Sequence, residues 1–393
     1  MTRHRTSLGT LLRHVHLDGP LSRTELAERM GVNRSTVLSL TAELVAAGLV
    51  REEHPAATRG AGRPSLVVRP ESERVYVLAF DVSVDRLDAA RVGLGGAILE
   101  RRQATRPRAG VDLDRVVSVL AGFGRELHEA ASPGAVCVGV GASYCGMIRP
   151  GDGTVRYGPD LGWVDQAFGA ELARALGLGQ PVAVGNEAHL GARAEYERGA
   201  GRGEPNLIYL HGDVGVGGGI LVDGDLLGGE SGYGCEVGHM LVNPYQGRHC
   251  LCGSSGCLEA EVGEHALLSA AGRSPDLFGR EAVRDVVREA AEGNKEATAA
   301  LSEIGDWLGI GVSNLINLFN PGVLIFGGML REVYQGAAPH VAARIARHVL
   351  PVSRDRTQLR LSALADDATL IGAAGLGFAA LLSDPSKSHG GTR

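Results

Sequence analysis

The residues best suited to chemistry are crowded into one segment of the chain, GHMLVNPYQGRHCLCGSSGCLEA. Ten residues separate His239 from Cys250, which is followed by Cys252 and Cys257. Three thiolates and one imidazole fill a tetrahedral Zn²⁺ shell and leave no position for water, which is typical of a structural zinc site. The alternatives are buried cysteines without a metal, or His249 as the imidazole ligand, although its direct neighbour Cys250 leaves it little room. The spacing therefore predicts a structural zinc ion.

A second chemical feature is the charge of the N-terminal segment. Residues 1–70 carry ten arginines and six acidic residues, a net charge of +4. The whole chain of 393 residues carries a net charge of −6, so the remaining 323 residues carry −10. A basic head on an acidic body indicates an anionic partner for the head alone, and nucleic acid is the main candidate.

The elements that would position such a contact are visible in the same segment. Residues 6–17 have the apolar spacing of an amphipathic helix. Ser22 and Glu25 form a capping box at the start of a second helix, RTELAERM, and Asn33 caps a third helix. The segments LVREEH and SLVVRP are typical of the two strands of a wing. Together these elements predict a winged helix-turn-helix domain in residues 1–70.

The third helix would read DNA through the exposed polar side chains near its start. We expect four of them to face the major groove and two wing arginines to reach phosphates or a narrow minor groove: Arg34, Ser35, Thr36 and Ser39 on the helix, and Arg59 and Arg63 on the wing. The apolar residues of the helix should pack inward: Val37, Leu38, Leu40, Leu44 and Val45. The alternative is a small helical domain that binds another protein, since winged helices also do this.

From about residue 75 the sequence alternates short β-branched runs with helical stretches, which predicts an α/β body with a mostly buried sheet. The expected strands are VYVLAFDVS, AVCVGVGAS, PVAVGN, NLIYLHG and GVLIFGG. The expected helices lie near residues 112–131, 164–177, 187–199, 257–272, 279–318 and 335–349. A body of this length is large enough for two lobes.

The sequence also bears on where the protein works. No apolar run approaches the roughly 20 residues that cross a bilayer, and the first residues lack the apolar core of a signal peptide. We therefore expect a cytoplasmic protein without a membrane partner. Three of the six cysteines fall within eight residues, which favours a metal site over disulfides in that compartment. The polar residues 384–393 are expected to be disordered.

The cysteine segment and several other motifs resemble the ROK family of repressors and sugar kinases. The motifs are Glu236-Val-Gly-His239, Cys250-Leu-Cys-Gly-Ser-Ser-Gly-Cys257-Leu-Glu259, Asp160-Leu-Gly-Trp163, Asn186-Glu187, Gly215-Val-Gly-Gly-Gly219 and Asn320-Pro-Gly-Val-Leu-Ile-Phe-Gly-Gly328. The resemblance spans roughly residues 75–383 and implies a two-lobed actin-like ATPase architecture, related to hexokinases and ribonuclease H, with a ligand cleft between the lobes. Family repressors carry an N-terminal winged helix, as this sequence does.

The resemblance further implies a sugar site made of carboxylates, an amide and an imidazole. Carried over residue by residue, its members are Asn186, Glu187, Glu236, His239 and Glu259, with Asp160 as a weaker candidate. Such groups suit a sugar because they hydrogen-bond to neighbouring hydroxyls inside a water-poor cleft. His239 could give one ring nitrogen to zinc and the other to a hydroxyl, so that the metal would fix the orientation of the ring. The alternative is that these polar residues only satisfy one another.

The phosphate loops differ from those of the family kinases, which implies a degenerate sugar kinase. The kinase motif Asp-x-Gly-Gly-Thr is replaced by Asp81-Val-Ser-Val-Asp85, and the motif Gly-Thr-Gly is replaced by Asp213-Val-Gly215. Glycines that allow phosphate to approach closely are lost, and Asp85 and Asp213 set acids against it. The expected catalytic aspartate is Glu187, whose extra methylene displaces the base by about 1 Å and costs on the order of a hundredfold in rate.

The leading hypothesis is a dimeric or tetrameric repressor whose sugar or sugar phosphate effector shifts the cleft between open and closed states. This shift would change how the heads fit two-fold operator DNA. The rival hypothesis is an active sugar kinase whose head regulates its own operon, and a third is control by docking to a sugar-transport protein. The expected division is a head in residues 1–70, lobe I in residues 75–186 and 370–383, and lobe II with the zinc site in residues 187–369.

Overall fold

The N-terminal segment folds as predicted into three helices and a small sheet. The computed structural model describes residues 2–55, 65–106, 108 and 112–386. The elements of the head are α1 (Thr2–Asp18), β1 (Leu21–Ser22), α2 (Arg23–Met30), α3 (Arg34–Ala46), β2 (Val50–Glu53) and β3 (Val67–Pro70). Strand β3 pairs antiparallel with both β1 and β2, which completes a helix-turn-helix with a wing. The wing arginines Arg59 and Arg63 lie outside the described residues.

The caps of the head form as the sequence predicts. Glu25 N donates to Ser22 Oγ at 3.2 Å, and Ser22 N donates to Glu25 Oε2 at 2.8 Å. Gly31 ends α2 at a φ of 62°, a left-handed conformation that favours glycine. The Asn33 Oδ1 atom accepts the backbone N–H of Thr36 at 2.8 Å and so begins α3. Local signals therefore place the turn between these two helices.

The predicted inward face of α3 is right at three positions and wrong at two. Val37, Leu40 and Leu44 are buried, whereas Leu38 is 48% exposed and Val45 is 41% exposed. Residues on one helix face recur at intervals of three and four positions, and Leu38 and Val45 each stand one position away from that series. The two exposed side chains therefore belong to the flank of the helix.

The body contains thirteen strands and ten α-helices within the described residues. Its strands are β4 (Val75–Val82), β5 (Arg86–Gly93), β6 (Ile98–Thr105), β7 (Val136–Tyr144), β8 (Met147–Ile148), β9 (Val155–Gly158), β10 (Trp163–Gln166), β11 (Val182–Asn186), β12 (Leu207–Gly212), β13 (Val216–Val222), β14 (Asp225–Leu226), β15 (Val323–Gly328) and β16 (Gln358–Leu361). Its helices are α4 (Leu113–Glu129), α5 (Phe168–Leu176), α6 (Glu187–Arg198), α7 (Leu258–Val262), α8 (Glu264–Ala270), α9 (Arg280–Ala291), α10 (Lys295–Phe319), α11 (Leu330–His348), α12 (Pro351–Arg354) and α13 (Ala368–Ser383).

The two large sheets of the body repeat one topology. The first sheet has the strand order β6-β5-β4-β7-β11 and the second has the order β14-β13-β12-β15-β16. In each sheet the first three strands along the chain form an antiparallel meander, and the last two add in parallel on its other side. This repeat confirms the predicted two-lobed α/β architecture. A small antiparallel sheet of β8, β9 and β10 accompanies the first lobe.

Helix α13 is the central packing element of the first lobe. It lies on β4 and β7 and also packs against α6 and α1. A Cβ atom on Gly141 in β7 would overlap the carbonyl oxygen of Ala373, so glycine is required for this approach. Residues 365–383 are long and apolar enough to cross a membrane by length and composition, but 61% of that stretch is buried in the fold. Such a helix is a core helix of the body.

Several elements differ from those predicted. The expected helix at residues 257–272 is broken into α7 and α8 at Gly263. The expected helix at residues 279–318 is likewise divided, since Gly293 has a φ of 91° and Asn294 then caps α10. Helix α13 and the short strands were not predicted, because a helix apolar on all sides has little periodicity and a strand of two to four residues has almost none. Strands β5, β6 and β13 were also missed, since charged residues or glycines interrupt the apolar pattern of these seven- and eight-residue segments.

Candidate functional site

A cleft lies between the two large sheets. Its volume, including the open space at its mouth, is about 720 Å³. All six residues implied to bind sugar line it: Asp160, Asn186, Glu187, Glu236, His239 and Glu259. Asp160 lies in the loop before β10, Asn186 ends β11, and Glu187 begins α6. Glu236 and His239 belong to a 3-10 turn at residues 237–239 and the residue before it, and Glu259 lies in α7. Met147, Tyr157 and Val214 supply apolar surface that the sequence did not predict.

Asn186 has a structural task within this cleft. Its Oδ1 atom accepts the backbone N–H groups of Ala188 at 2.9 Å and His189 at 3.1 Å, which caps α6. Its Nδ2 atom donates to the carbonyl oxygen of Gly146 at 3.0 Å. One amide hydrogen therefore remains for a ligand. The capping signal was present in the sequence, because an asparagine directly precedes a helical run.

Glu187 brings an unsatisfied carboxylate oxygen to the cleft. Its Oε2 atom is buried and has no hydrogen-bond partner among the described residues. Burial raises the pKa of Glu187 well above 4.5, and the carboxylates of Asp213, Asp81 and Asp160 raise it further. An orphaned buried acceptor is costly, so a ligand that donates a hydroxyl to this atom gains from satisfying it.

Two further carboxylates have free hydrogen-bonding capacity. Within the part of the chain that the structure describes, no group donates a hydrogen bond to Asp160 or Glu236. Burial raises the pKa of Asp160 to about 6, with a further contribution from the charge of Glu259. Burial also raises the pKa of Glu236. Glu259 is more engaged, since its Oε2 atom accepts the backbone N–H of Val216 at 3.1 Å. The cleft thus presents acceptors that a polyhydroxylated molecule can fill.

The predicted metal ligands converge at one edge of the cleft. One ligand atom from each of His239, Cys250, Cys252 and Cys257 lies within 4.8 Å of all the others. The Cys252 and Cys257 sulfurs are 3.8 Å apart, and His239 Nδ1 is 3.8 Å from Cys250 Sγ. Zinc–sulfur bonds of about 2.3 Å in a tetrahedron give sulfur–sulfur edges of about 3.8 Å, so the cluster fits Zn²⁺. His249 is outside this group and pairs with Ser255 in a β-bridge.

The geometry of His239 connects this cluster to the cleft. Its Nδ1 atom faces Cys250, while its ring lines the cleft. Cys250 Sγ also lies 3.5 Å from Glu259 Oε1, so the cluster and the carboxylates are in direct contact. If Nδ1 binds the metal, Nε2 is the ring nitrogen that is left for a ligand hydroxyl.

The other side of the cleft carries the altered phosphate loops, and here the structure adds cations that were not predicted. The sequence suggests that Asp85 sets a free negative charge against phosphate, but Arg108 donates to its Oδ2 atom at 3.1 and 2.6 Å. Arg86 lies 3.8 Å from Asp81 Oδ2 and 2.5 Å from Asp88 Oδ2. Side chains of this chain therefore neutralise one another after β4, at the segment that the family resemblance assigns to phosphate.

The residues expected to contact DNA lie on the free face of α3. Arg34, Ser35 and Ser39 are exposed, and Thr36 is half-buried. The hydroxyls of Ser35 and Thr36 each donate to Asn33 Oδ1 at 2.8 Å. In this arrangement the two hydroxyl oxygens can still accept hydrogen bonds.

Comparisons with known proteins match both parts of the fold. The ROK family profile covers residues 77–379, and a MarR family profile covers residues 9–60. A xylose repressor from Caldicellulosiruptor bescii is 30% identical over 319 residues, which are 78% of this chain and 79% of the repressor. A solved structure of a ROK family transcriptional regulator, a homologue of the E. coli MLC protein, has a TM-score of 0.79 at 25% identity over 98% of both chains.

A solved ROK glucokinase from Streptomyces griseus, in complex with glucose and AMPPNP, has a TM-score of 0.66 at 26% identity. That match covers 99% of the glucokinase but 77% of this chain. A DNA-reading head joined to a kinase-like ligand cleft defines a transcriptional regulator. The chain belongs to the ROK family, and its head sets it apart from the kinases of that family.

Proposed function

We propose that the chain is a sugar-responsive repressor of carbohydrate genes, in which a sugar bound in the cleft changes the affinity of the head for operator DNA. The observation that carries this proposal is the convergence of six polar side chains on one cleft in a chain that also has a winged helix. The unsatisfied oxygen of Glu187 supports a hydroxyl-bearing ligand. The repressor names of the relatives support the direction of control, and the name xylose repressor makes D-xylose the first sugar to test. The glucokinase solved with glucose makes D-glucose the second.

The cysteine cluster would hold one structural Zn²⁺ through His239, Cys250, Cys252 and Cys257. When bound, the ion would supply no catalytic water, because protein ligands fill all four positions. It would fix the ring of His239 so that the second nitrogen meets the sugar in one orientation. The same histidine thus belongs to both sites.

Phosphoryl transfer is not part of the proposed function. Catalysis of this reaction depends on positioning and on stabilising charge at the phosphates. Arg108 and Arg86 are already paired with the carboxylates of this chain there, and Asp213 adds a further acid, whose pKa burial and Asp85 raise to about 6. A glutamate, Glu187, stands where the kinases have their catalytic aspartate.

Helix α6 offers a physical connection between the sugar and the head. It begins at Glu187 in the cleft and ends at Arg198 beside the head, and its twelve residues span about 18 Å. Near its C-terminal end, Glu197 Oε1 lies 3.5 Å from Arg13 Nη1 of α1. We propose that a shift of α6 on sugar binding changes the orientation of the head. A two-fold operator then calls for a homodimer or a tetramer, working in the cytoplasm.

The test uses the full chain and DNA fragments that it selects from a random library. Titration calorimetry with D-xylose and D-glucose should show saturable heat for at least one sugar, and that sugar should weaken DNA binding in an anisotropy assay. Glu236→Gln should lower the sugar affinity, whereas the control Glu129→Gln, on the exposed face of α4, should not.

Two outcomes would contradict the proposal. The first is the absence of heat from every aldose and aldose phosphate, which would favour control by a protein partner. The second is steady conversion of ATP and sugar at about 1–100 s⁻¹, the range of ordinary kinases, which would make the chain an enzyme.

A further inference from the structure

One guanidinium joins the two lobes of the body. Arg108, between β6 and α4 of the first lobe, donates to Asp85 Oδ2 from Nε at 3.1 Å and from Nη2 at 2.6 Å. The same side chain donates to both oxygens of Glu264, the first residue of α8 in the second lobe, at 2.9 Å each. Charged, forked hydrogen bonds of this kind are among the strongest that side chains make.

Two residues of the second lobe, Glu264 and Phe278, contact the guanidinium of Arg108. The side chain of Glu264 is only 5% exposed, and its Oε1 atom also accepts the backbone N–H of Gly279 at 3.0 Å. The guanidinium carbon of Arg108 lies 4.4 Å from the centroid of the Phe278 ring, within the range of a cation–π contact. Two separate segments of the second lobe therefore contact a side chain of the first.

The charges at this position are matched for a contact between lobes. Burial acts to lower the pKa of Arg108, but the hydrogen bonds and charges of Glu264 and Asp85 outweigh it and raise the pKa. Removing the arginine would leave the buried Glu264 with the backbone N–H of Gly279 but without an opposite charge, and an unpaired buried charge is strongly destabilising. Separation of the lobes at this point breaks both hydrogen bonds between Arg108 and Glu264.

We propose that Asp85, Arg108 and Glu264 form an interlobe clasp that holds the cleft closed. Its role is mechanical: it limits how far the lobes separate, whatever ligand the cleft receives. The inference does not depend on the identity of the effector.

Hydrogen–deuterium exchange of the full chain tests this clasp. In Arg108→Ala, amides at residues 145–147 and 213–217, which line the cleft from the two lobes, should exchange about threefold faster or more. These residues make no hydrogen bond to Arg108 in the described structure, so faster exchange there reports opening of the cleft rather than the loss of a local contact. The matched control is Arg102→Ala, because Arg102 also binds two carboxylates, Glu100 and Glu126, but both lie in its own lobe.

A second variant keeps the test decisive if Arg108→Ala folds poorly. Glu264→Gln keeps an acceptor for the backbone N–H of Gly279 but removes the charge that holds Arg108, so exchange at residues 145–147 and 213–217 should again be faster than in wild type. Circular dichroism and thermal melting confirm that each variant is folded. Unchanged exchange at these residues in a folded Arg108→Ala or Glu264→Gln variant would overturn the clasp.

Discussion

The Nδ1 atom of His16, in the first helix of the head, accepts a hydrogen bond from the backbone N–H of Gly95 in the body at 2.9 Å. The ring of His16 is buried, and its centroid lies 4.8 Å from that of Phe378 in α13. A protonated ring could not accept this bond, so the attachment of the head to the body requires a neutral histidine.

Stability should therefore fall in mild acid through His16. Burial lowers the pKa of His16 well below 6.5, and the positive charges of Arg198 and Arg13 lower it further. Below about pH 6.5 the unfolded chain takes up a proton at this residue while the folded chain does not, so this contribution to stability is lost as the pH falls. Glutamine can offer an oxygen to Gly95, and His16→Gln should therefore lose less melting temperature than wild type between about pH 7.5 and pH 5.5.

The control for this prediction is His265→Gln, because His265 is exposed on α8. Its melting temperature should follow the wild-type pH profile. A His16→Gln profile that also follows wild type would show that the ring does not govern the acid response.

Replacing Glu187 should separate sugar binding from folding. Glu187→Gln removes a charged acceptor, and we expect sugar affinity to fall about ten- to a hundredfold. The same change should raise the melting temperature, since the carboxylate is buried beside Asp213, Asp81 and Asp160. Because the pKa of Glu187 is raised in the folded chain, its contribution to stability is present below about pH 4.5 and is lost as the pH rises. The gain from glutamine should therefore be larger at about pH 8 than at about pH 5.

Calorimetry with sugar and melting curves at both pH values check this prediction, with Glu129→Gln as the control. If Glu187→Gln binds sugar as tightly as wild type does, Glu187 is not a sugar-binding residue.

Loss of the proposed zinc ion should weaken sugar binding and spare DNA binding. Cys257→Ser removes one of the four ligands, and we expect bound zinc to fall from one ion per chain to a small fraction of that, as measured by atomic emission. Sugar affinity should fall about tenfold or more, because the ring of His239 loses its support. The control is Cys235→Ser, since Cys235 lies outside the cluster and donates to the carbonyl of Leu227 at 3.0 Å. Full sugar affinity in a zinc-free Cys257→Ser variant would show that sugar binding does not depend on the metal.

The contact between Arg13 and Glu197 should affect how strongly sugar lowers the affinity for operator DNA, rather than sugar binding or DNA binding itself. It is an exposed ion pair at 3.5 Å, so its removal should cost little stability. We expect Arg13→Ala to reduce the sugar-induced loss of operator affinity about two- to fivefold, with sugar affinity unchanged. Arg115→Ala, an exposed change on α4, is the control. DNA anisotropy with and without sugar measures the effect, and an unaltered response in Arg13→Ala would exclude this route.

The parts of the structure that could be predicted from the sequence are those whose residues lie close together along the chain. The cysteine cluster spans nineteen residues from His239 to Cys257, so ligand spacing alone indicates a metal site, and the ligand atoms do converge. The helices of the head were predicted from caps, because a cap is a pattern of three or four neighbouring residues. The sugar residues were named through family resemblance; all six line one cleft, and their contact with sugar stays a prediction.

Contacts between distant residues could not be predicted in this way. Arg108 is separated by 23 residues from Asp85 and by 156 residues from Glu264, and no local spacing marks an arginine that will reach both. The orientation of α3 was misjudged at Leu38 and Val45 for a related reason: an apolar side chain packs inward only if the tertiary fold presents a surface to it.

The packing of α1 on α13 has a consequence for synthesis of the protein. A Cβ on Gly9 would lie 2.5 Å from the carbonyl oxygen of Leu382, so α1 packs closely against the C-terminal end of α13. The ribosome makes the DNA-reading segment first, and the surface that seats it leaves the exit tunnel only after nearly the whole chain. Until residues 368–383 have been made, a nascent chain therefore lacks the helix on which α1 packs.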